Sequence, residues 1–409
     1  MSALQSSRKK NINRQLSVKS RLILTLQVLL ISRLASFVPI QNIDQDAFYL
    51  AINSNIATRS FTMFSNGACS VVSLFALGII PNINASIIIQ LLVATVPTLE
   101  KLQKEEGEFG RQKIVQYTRY LTFFLAVVES IIGTFFLRNF VFNWNALFIF
   151  QTVLCLTTGA MITLWFSELI TEKGIGNGTS WFIFINILSG TSQRSLQNIN
   201  FQDIFNQETN IVISFLVFTF FLVSGIIFVQ EARRKIPIIS SKQFATPDVN
   251  SKNAFIPFRL NQSGIMPLIF ASTIISLLLS FNNLLVSKQL FLFVYVVLIF
   301  LFSFFYNSII IDPQDISLKL KKMSSSISGV RPGTKTIKFL DKILKRLTFL
   351  GAIFLVIVAL VPNILEFLLK TNIFSGFGAT SLIIIIGVAI ENIKQIQTLL
   401  ITKQYDQST

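Results

Sequence analysis

"PNINASIIIQLL", residues 81–92, is apolar enough for lipid yet carries Asn82, Asn84, Ser86 and Gln90 between its Ile and Leu residues. Apolar runs of similar character recur from end to end of a 409-residue chain that is 52% hydrophobic and only 13% charged. Runs of about 20 residues cross a hydrocarbon core of ~30 Å as helices. Backbone groups in lipid must find partners inside the protein, which leaves helices or a closed barrel. These runs are too long and too continuous for barrel strands. The composition therefore predicts an all-α polytopic membrane protein. Spans fall near 22–40, 71–97, 114–137, 146–168, 179–190, 211–230, 263–281, 289–311, 347–369 and 379–400, of which the fifth is short.

Charge orients the spans. With ten of them, the two ends of the chain and alternate loops share one side. That side has 29 Lys and Arg in or beside its segments, against five on the other: Arg59, Arg138, Arg194, Lys288 and Lys370. Basic residues in short loops stay on the side of synthesis. The formal net charge of +16 is therefore mainly a topology signal. A nucleic-acid binder would need a basic soluble domain, and the sequence offers none, so no specific nucleic-acid site is expected. The first hydrophobic run is expected to be a retained helix rather than a cleaved signal, because it is long and contains Arg33.

Several chemistries are excluded by residue type. The chain has no His and only two Cys, Cys69 and Cys155, so neither a Cys/His zinc site nor a Ser-His-Asp triad can be assembled. No Walker-type phosphate loop is present. No metal, cofactor or catalytic residue is expected, and work on a substrate must draw on a partner or an ion gradient.

The expected organisation is a basic tail at 1–21, a first half at 22–205, a second half at 206–400 and a short tail at 401–409. Five spans per half force opposite orientations, so any similarity between the halves is an inverted repeat, although no repeat is visible in the residues. The largest extramembrane loops, 231–259 and 312–346, both lie on the basic side.

Three further stretches share the character of the first. "EKGIGNGTSWFIFINI", residues 172–187, has Gly174, Gly176 and Gly178 ahead of a short span with Ile183, Asn186 and Ile187. No strand precedes these glycines, which excludes a dinucleotide loop and leaves a turn opening a buried helix. "LNQSGIMPLIFAS", residues 260–272, opens on amides, carries Pro267 early and places Ile265 and Ile269 four apart. "GFGATSLIIIIGVAIENIKQIQ", residues 376–397, follows small and polar residues with a run of Ile. Amides in a span have two readings. They fasten helices together, because a buried amide needs a partner. Alternatively, with branched aliphatics at helical spacing, they line an intermittently wet path whose apolar constriction stops ions by dewetting. Residues 59–78, "RSFTMFSNGACSVVSLFALG", are amphipathic and glycine-interrupted. They read either as an interfacial helix or as a segment folded back into the bundle.

Seven stretches in order, "FALGIIPNINASIIIQLL", "GEFGRQKIVQYTRYLT", "EKGIGNGTS", "QEARRKIPI", "SGIMPLIFAS", "GVRPGTKT" and "FGATSLIIIIGVAIENIKQIQTLLITKQYD", resemble the signature stretches of the SecY family, the central channel subunits of the general protein translocase. The resemblance runs from span 1 to span 10. It implies ten helices in two pseudo-symmetric inverted five-helix halves around a central pore. By motif position it implies a pore ring of Ile83, Ile87, Ile183, Ile187, Ile269 and Ile384. It implies a plug at about 60–72, including Phe61, Phe64, Asn66 and Gly67, and a lateral gate between spans 2 and 7 that includes Asn84, Gln90 and Ser272. Arg233, Arg234 and Arg331 would dock the driver, a SecA-type ATPase or a ribosome. A SecE-type small membrane subunit, a SecG-type subunit, lipid and the translocating polypeptide complete the implied partners. Asn66 stands where the plug usually has glycine and Asn82 where a tyrosine is usual, so both add polarity near the seal.

The function implied is translocation of signal-bearing polypeptides and lateral release of membrane segments. A secondary transporter with inverted repeats is the alternative, but Arg33, Glu129, Glu168 and Glu391 show no obvious pairing in the sequence. An intramembrane protease lacks its dyad. The richness in Phe, Ile and Asn fits an A/T-rich plastid genome, which implies the thylakoid membrane with the ends of the chain in the stroma. A bacterial inner membrane is the rival.

Overall fold

The computed structural model describes residues 18–48, 72–105, 107–198, 209–240, 255–262, 264, 266–281, 288–369 and 379–408. A helix occupies each of the ten predicted runs. In chain order the first helices are α1 (Val18–Ala35), α2 (Ile80–Thr95), α3 (Pro97–Glu105), α4 (Gly107–Phe136), α5 (Ala146–Lys173), α6 (Gly178–Asn198) and α7 (Thr209–Glu231). Strands β1 (Arg233–Ser240) and β2 (Phe255–Arg259) follow, then α8 (Met266–Phe281), α9 (Lys288–Ile310), α10 (Pro313–Lys322), β3 (Ser325–Ile327), α11 (Thr334–Leu369) and α12 (Ala379–Ser408). Among the described residues, five helical stretches are long and apolar enough to cross a membrane alone, or six if α2 and α3, bent by 103° at their junction, count as one. The remaining runs are shorter or carry charge, as α1 does with Lys19, Arg21 and Arg33.

The chain divides into two compact units, Met1–Gln197 with Val388–Thr409, and Asn198–Gly387. The division falls before the expected position 205, and the end of α12 counts with the first unit. Residues expected as a separate tail after 400 continue α12 to Ser408. Likewise α6 runs on to Asn198, beyond the expected 190, although its apolar part is only Gly178–Ser189.

In the first unit, α4 packs against α2 and α5 through small and hydroxyl residues. Ala126, Ser130 and Thr134 of α4 and Thr152, Ala160 and Thr163 of α5 are all buried. The hydroxyls bond carbonyls one turn back in their own helices, as Ser130 does to Ala126 at 2.5 Å and Thr134 to Ser130 at 2.8 Å. With their polarity satisfied locally, these short side chains let the helices approach closely in lipid. In the second unit, Ile226, Leu268, Ile275, Ile299, Leu355 and Ile383 form the core shared by α7, α8, α9, α11 and α12.

A sheet with no counterpart in the sequence reading joins the two large basic loops. Strand β1 pairs antiparallel with β2, placing Arg234 opposite Phe258 and Ile236 opposite Ile256. On its other edge it pairs antiparallel with β3, placing Ile238 opposite Ile327. Ile236, Phe258, Leu320, Ile327, Leu340 and Leu344 close a core under this sheet. The described parts of the two loops are thus one folded body, set at the ends of α7, α8, α9 and α11.

Candidate functional site

Span 2 begins where the backbone turns. Gly78 takes the left-handed conformation at φ +51°. Helix α2 then starts with Pro81 in its first turn, where a missing N–H costs nothing. Ile83 and Ile87 are half-buried one turn apart. Ile83 and Ile183 both pack against one apolar cluster of Val28, Leu29, Ile79, Ile170 and Phe182. Ile187, one turn beyond Ile183 on α6, is also half-buried. These four residues belong to the first unit, whereas Ile269 (half-buried on α8) and Ile384 (buried on α12) belong to the second.

The polar residues of span 2 have separate roles. Asn84 Nδ2 donates to Glu129 Oε1 of α4 at 2.8 Å. Thr122 Oγ1 of the same helix lies 3.4 Å from Asn82 Oδ1, and Ser86 bonds the Ile83 carbonyl of its own helix at 2.8 Å. Asn82 and Asn84 therefore fasten α2 to α4, and for these two the helix-fastening reading of the amides is the one the structure supports. Gln90 is half-buried near the end of α2. Ser272 lies on α8, but its side chain is outside the described residues, as are the plug residues Phe61, Phe64, Asn66 and Gly67. The absence of obvious charge pairing needs correction. Arg119 Nε donates to Glu168 Oε1 at 2.6 Å, because neighbouring helices α4 and α5 bring together residues distant in sequence. Arg33 also has a partner, the hydroxyl of Ser189.

The glycine turn before α6 is a tight splice. Gly176 has φ +88°, and a Cβ on Gly178 would lie 1.9 Å from the Ser167 carbonyl oxygen. Only glycine fits such an approach. The turn is closed by Gly178 N–H donating to Thr171 Oγ1 at 2.9 Å and by Trp181 Nε1 donating to the Ile175 carbonyl at 2.8 Å. Asn177 Oδ1 accepts from the Thr179 amide at 3.1 Å, covering a donor of the first turn that has no partner within the helix. The glycine turn read from the sequence matches this geometry, whereas the helix it opens is half-buried rather than buried along most of its described length.

Arg233 and Arg234 are exposed at the start of β1, where Arg233 lies 3.6 Å from Glu231. Arg331 is exposed on the turn after β3. Gly329 at φ +77° and Gly333 at φ +106° shape that turn. Thr336 Oγ1 bonds the Arg331 carbonyl at 3.0 Å, and the Ser328 amide bonds the Pro237 carbonyl of β1 at 3.2 Å. The three arginines thus sit on one folded body. Its described segments 231–240, 255–262 and 312–346 hold 13 Lys and Arg against four acidic residues.

Long apolar helices, with a basic folded body at the ends of four of them, define a polytopic helical membrane protein. The chain belongs to the SecY family, whose profile matches residues 73–393. It is 47% identical to the protein translocase subunit SecY of Guillardia theta, with 97% of this chain and 98% of that protein covered. It is 46% identical to the SecY subunit of Porphyra purpurea, covering 96% and 98%. Among solved structures, a protein-conducting channel superposes with a TM-score of 0.68 at 15% identity, covering 95% of this chain and 94% of that one. Sec61 from a canine ribosome–channel complex superposes with a TM-score of 0.61 at 16% identity, covering 95% and 94%. These two likenesses are matters of fold.

Proposed function

We propose that this chain is the central subunit of a protein-conducting channel that passes signal-bearing polypeptides across the membrane and releases membrane segments sideways into lipid. The observation that carries this reading is near-full-length identity of 47% to a protein translocase subunit. A transporter reading has no comparable support, and the acidic groups Glu129 and Glu168 are engaged in helix fastening.

In the proposed mechanism, Ile83, Ile87, Ile183, Ile187, Ile269 and Ile384 form a dry collar. Water leaves a narrow passage lined by branched aliphatics, so ions stay out, while a polypeptide displaces the side chains and passes. Packing of Ile83 and Ile183 against one cluster supports their half of the collar. The family resemblance gives residues 60–72, most of them outside the described residues, the role of a plug. Spans 2 and 7, around Gln90 and Ser272, part to let a signal or membrane segment reach lipid. The chain supplies no phosphate loop, so the driving energy comes from a SecA-type ATPase or a ribosome docked at Arg233, Arg234 and Arg331. The Sec61 likeness, seen in a ribosome–channel complex, favours a docking face of this kind. A SecE-type subunit holds the halves, and a SecG-type subunit accompanies it. Relatives encoded in plastid genomes, together with the Phe-, Ile- and Asn-rich composition, favour the thylakoid membrane with the basic body in the stroma.

Single cysteines at Gln90→Cys and Ser272→Cys test the lateral exit. A stalled chain whose signal carries a thiol-reactive group is expected to crosslink to both positions. Crosslinks to neither, with translocation intact, would place the exit elsewhere.

A further inference from the structure

Something must fix the depth of Ile83 and Ile87, and the structure holds the segment leading into α2 at three independent points. At its start, Gln45 Oε1 accepts from the Val72 amide at 2.8 Å, while the Ile40 amide donates to the Val72 carbonyl at 3.0 Å and the Leu74 amide to the Val38 carbonyl at 3.1 Å. In the middle it passes so close to α5 that a Cβ on Gly159 would lie 2.0 Å from the Leu74 carbonyl oxygen. At its end the Thr163 hydroxyl, wholly buried on α5, lies 2.7 Å from the Gly78 carbonyl oxygen. The Ala160 carbonyl of the same helix is a second acceptor for that proton, also at 2.7 Å. Ile79, the residue after Gly78, is 2% exposed and opens α2.

We propose that Thr163 and Gly159 are positioning residues that set the depth of the span 2 isoleucines through the Gly78 and Leu74 carbonyls. The inference rests on the collar reading. A helix advances 1.5 Å per residue, so Ile83 and Ile87 stand about 4.5 and about 10.5 Å beyond Ile80, the first residue of the stiff rod that Gly78 leads into. A slip at the Gly78 anchor therefore reaches both side chains undiminished. The hydroxyl supplies the cross-helix donor, and the bare glycine supplies the room for the approach.

Thr163→Val keeps the shape and removes only the donor, leaving the buried Gly78 carbonyl without it. Channels of full-length chain with its small membrane subunit are reconstituted at equal folded amounts. Resting ion flux and export of a substrate with a weakened signal are then read. Thr163→Val is expected to raise both by roughly tenfold, the shift in a two-state ratio that loss of one buried hydrogen bond produces, and Thr163→Ser to restore both. Gln45→Leu, which loosens the start of the same segment, is expected to raise both readouts too and carries the test if Thr163→Val does not accumulate. Lowered thermal stability with both readouts at the wild-type level, while Ile87→Asn leaks, would overturn the positioning role alone. If Ile87→Asn also stays tight, the collar reading fails and takes this inference with it.

Discussion

Ile87→Asn is expected to make the resting channel conduct ions. In the proposed collar the side chain at 87 faces a passage that is dry because nothing in it holds water. An amide left dry there costs about 1–3 kcal/mol, so the wet state gains by that amount. A factor of ten in the crossing rate corresponds to about 1.4 kcal/mol, so flux should rise by roughly five- to 150-fold. Ile87 is half-buried one turn along α2 from Ile83, which packs with Ile183 on one cluster. The same change should loosen selection, so that substrates with weak signals are exported. Ile87→Leu, which keeps the apolar volume, should stay tight. Conductance and weak-signal export both at wild-type level in Ile87→Asn would count against the collar.

Arg331→Glu is expected to cut partner-driven translocation by about tenfold or more while leaving the amount of channel in the membrane unchanged. Removing one partner of a close interfacial charge pair costs about 2–5 kcal/mol. The fold does not depend on this side chain. The turn is held through the Arg331 carbonyl and the Ser328 amide, and the guanidinium makes no ion pair among the described residues. Many basic residues surround it for reasons of topology alone, so Lys335→Glu, an exposed neighbour, is the control. That variant should have a much smaller effect. Full translocation by Arg331→Glu channels in the presence of the driver would remove the docking role.

The membrane helices were legible because lipid leaves the backbone so little choice: a long apolar run has to be helical. The Gly174 to Gly178 turn was legible because three glycines before an apolar helix announce a close approach, here to the Ser167 carbonyl. The sheet was not legible. "RRKIPIIS" has no alternation that marks it as a strand, and β3 is three residues long with its partner far away in sequence. Its pairing is a product of the folded body, whose core draws on Leu340 and Leu344 of α11. The Arg119–Glu168 pair was invisible for the same reason, since 49 residues separate the two. For "PNINASIIIQLL" the residues alone left two readings open. The Asn84–Glu129 bond decides for fastening at that amide, while Ile83, on the same helix, meets the cluster shared with Ile183.

The most direct test is a crosslinking map of a signal-bearing chain stalled midway. Single cysteines are placed at Ile87, Ile183, Ile269 and Ile384, with Leu92 and Leu188, both exposed large apolar residues, as outward controls. One reactive position in the stalled chain should capture all four isoleucine sites, contributed by both units, and neither control. Capture by the controls with silence at the four isoleucines would show that the polypeptide does not pass between them, and the channel mechanism set out here would be wrong.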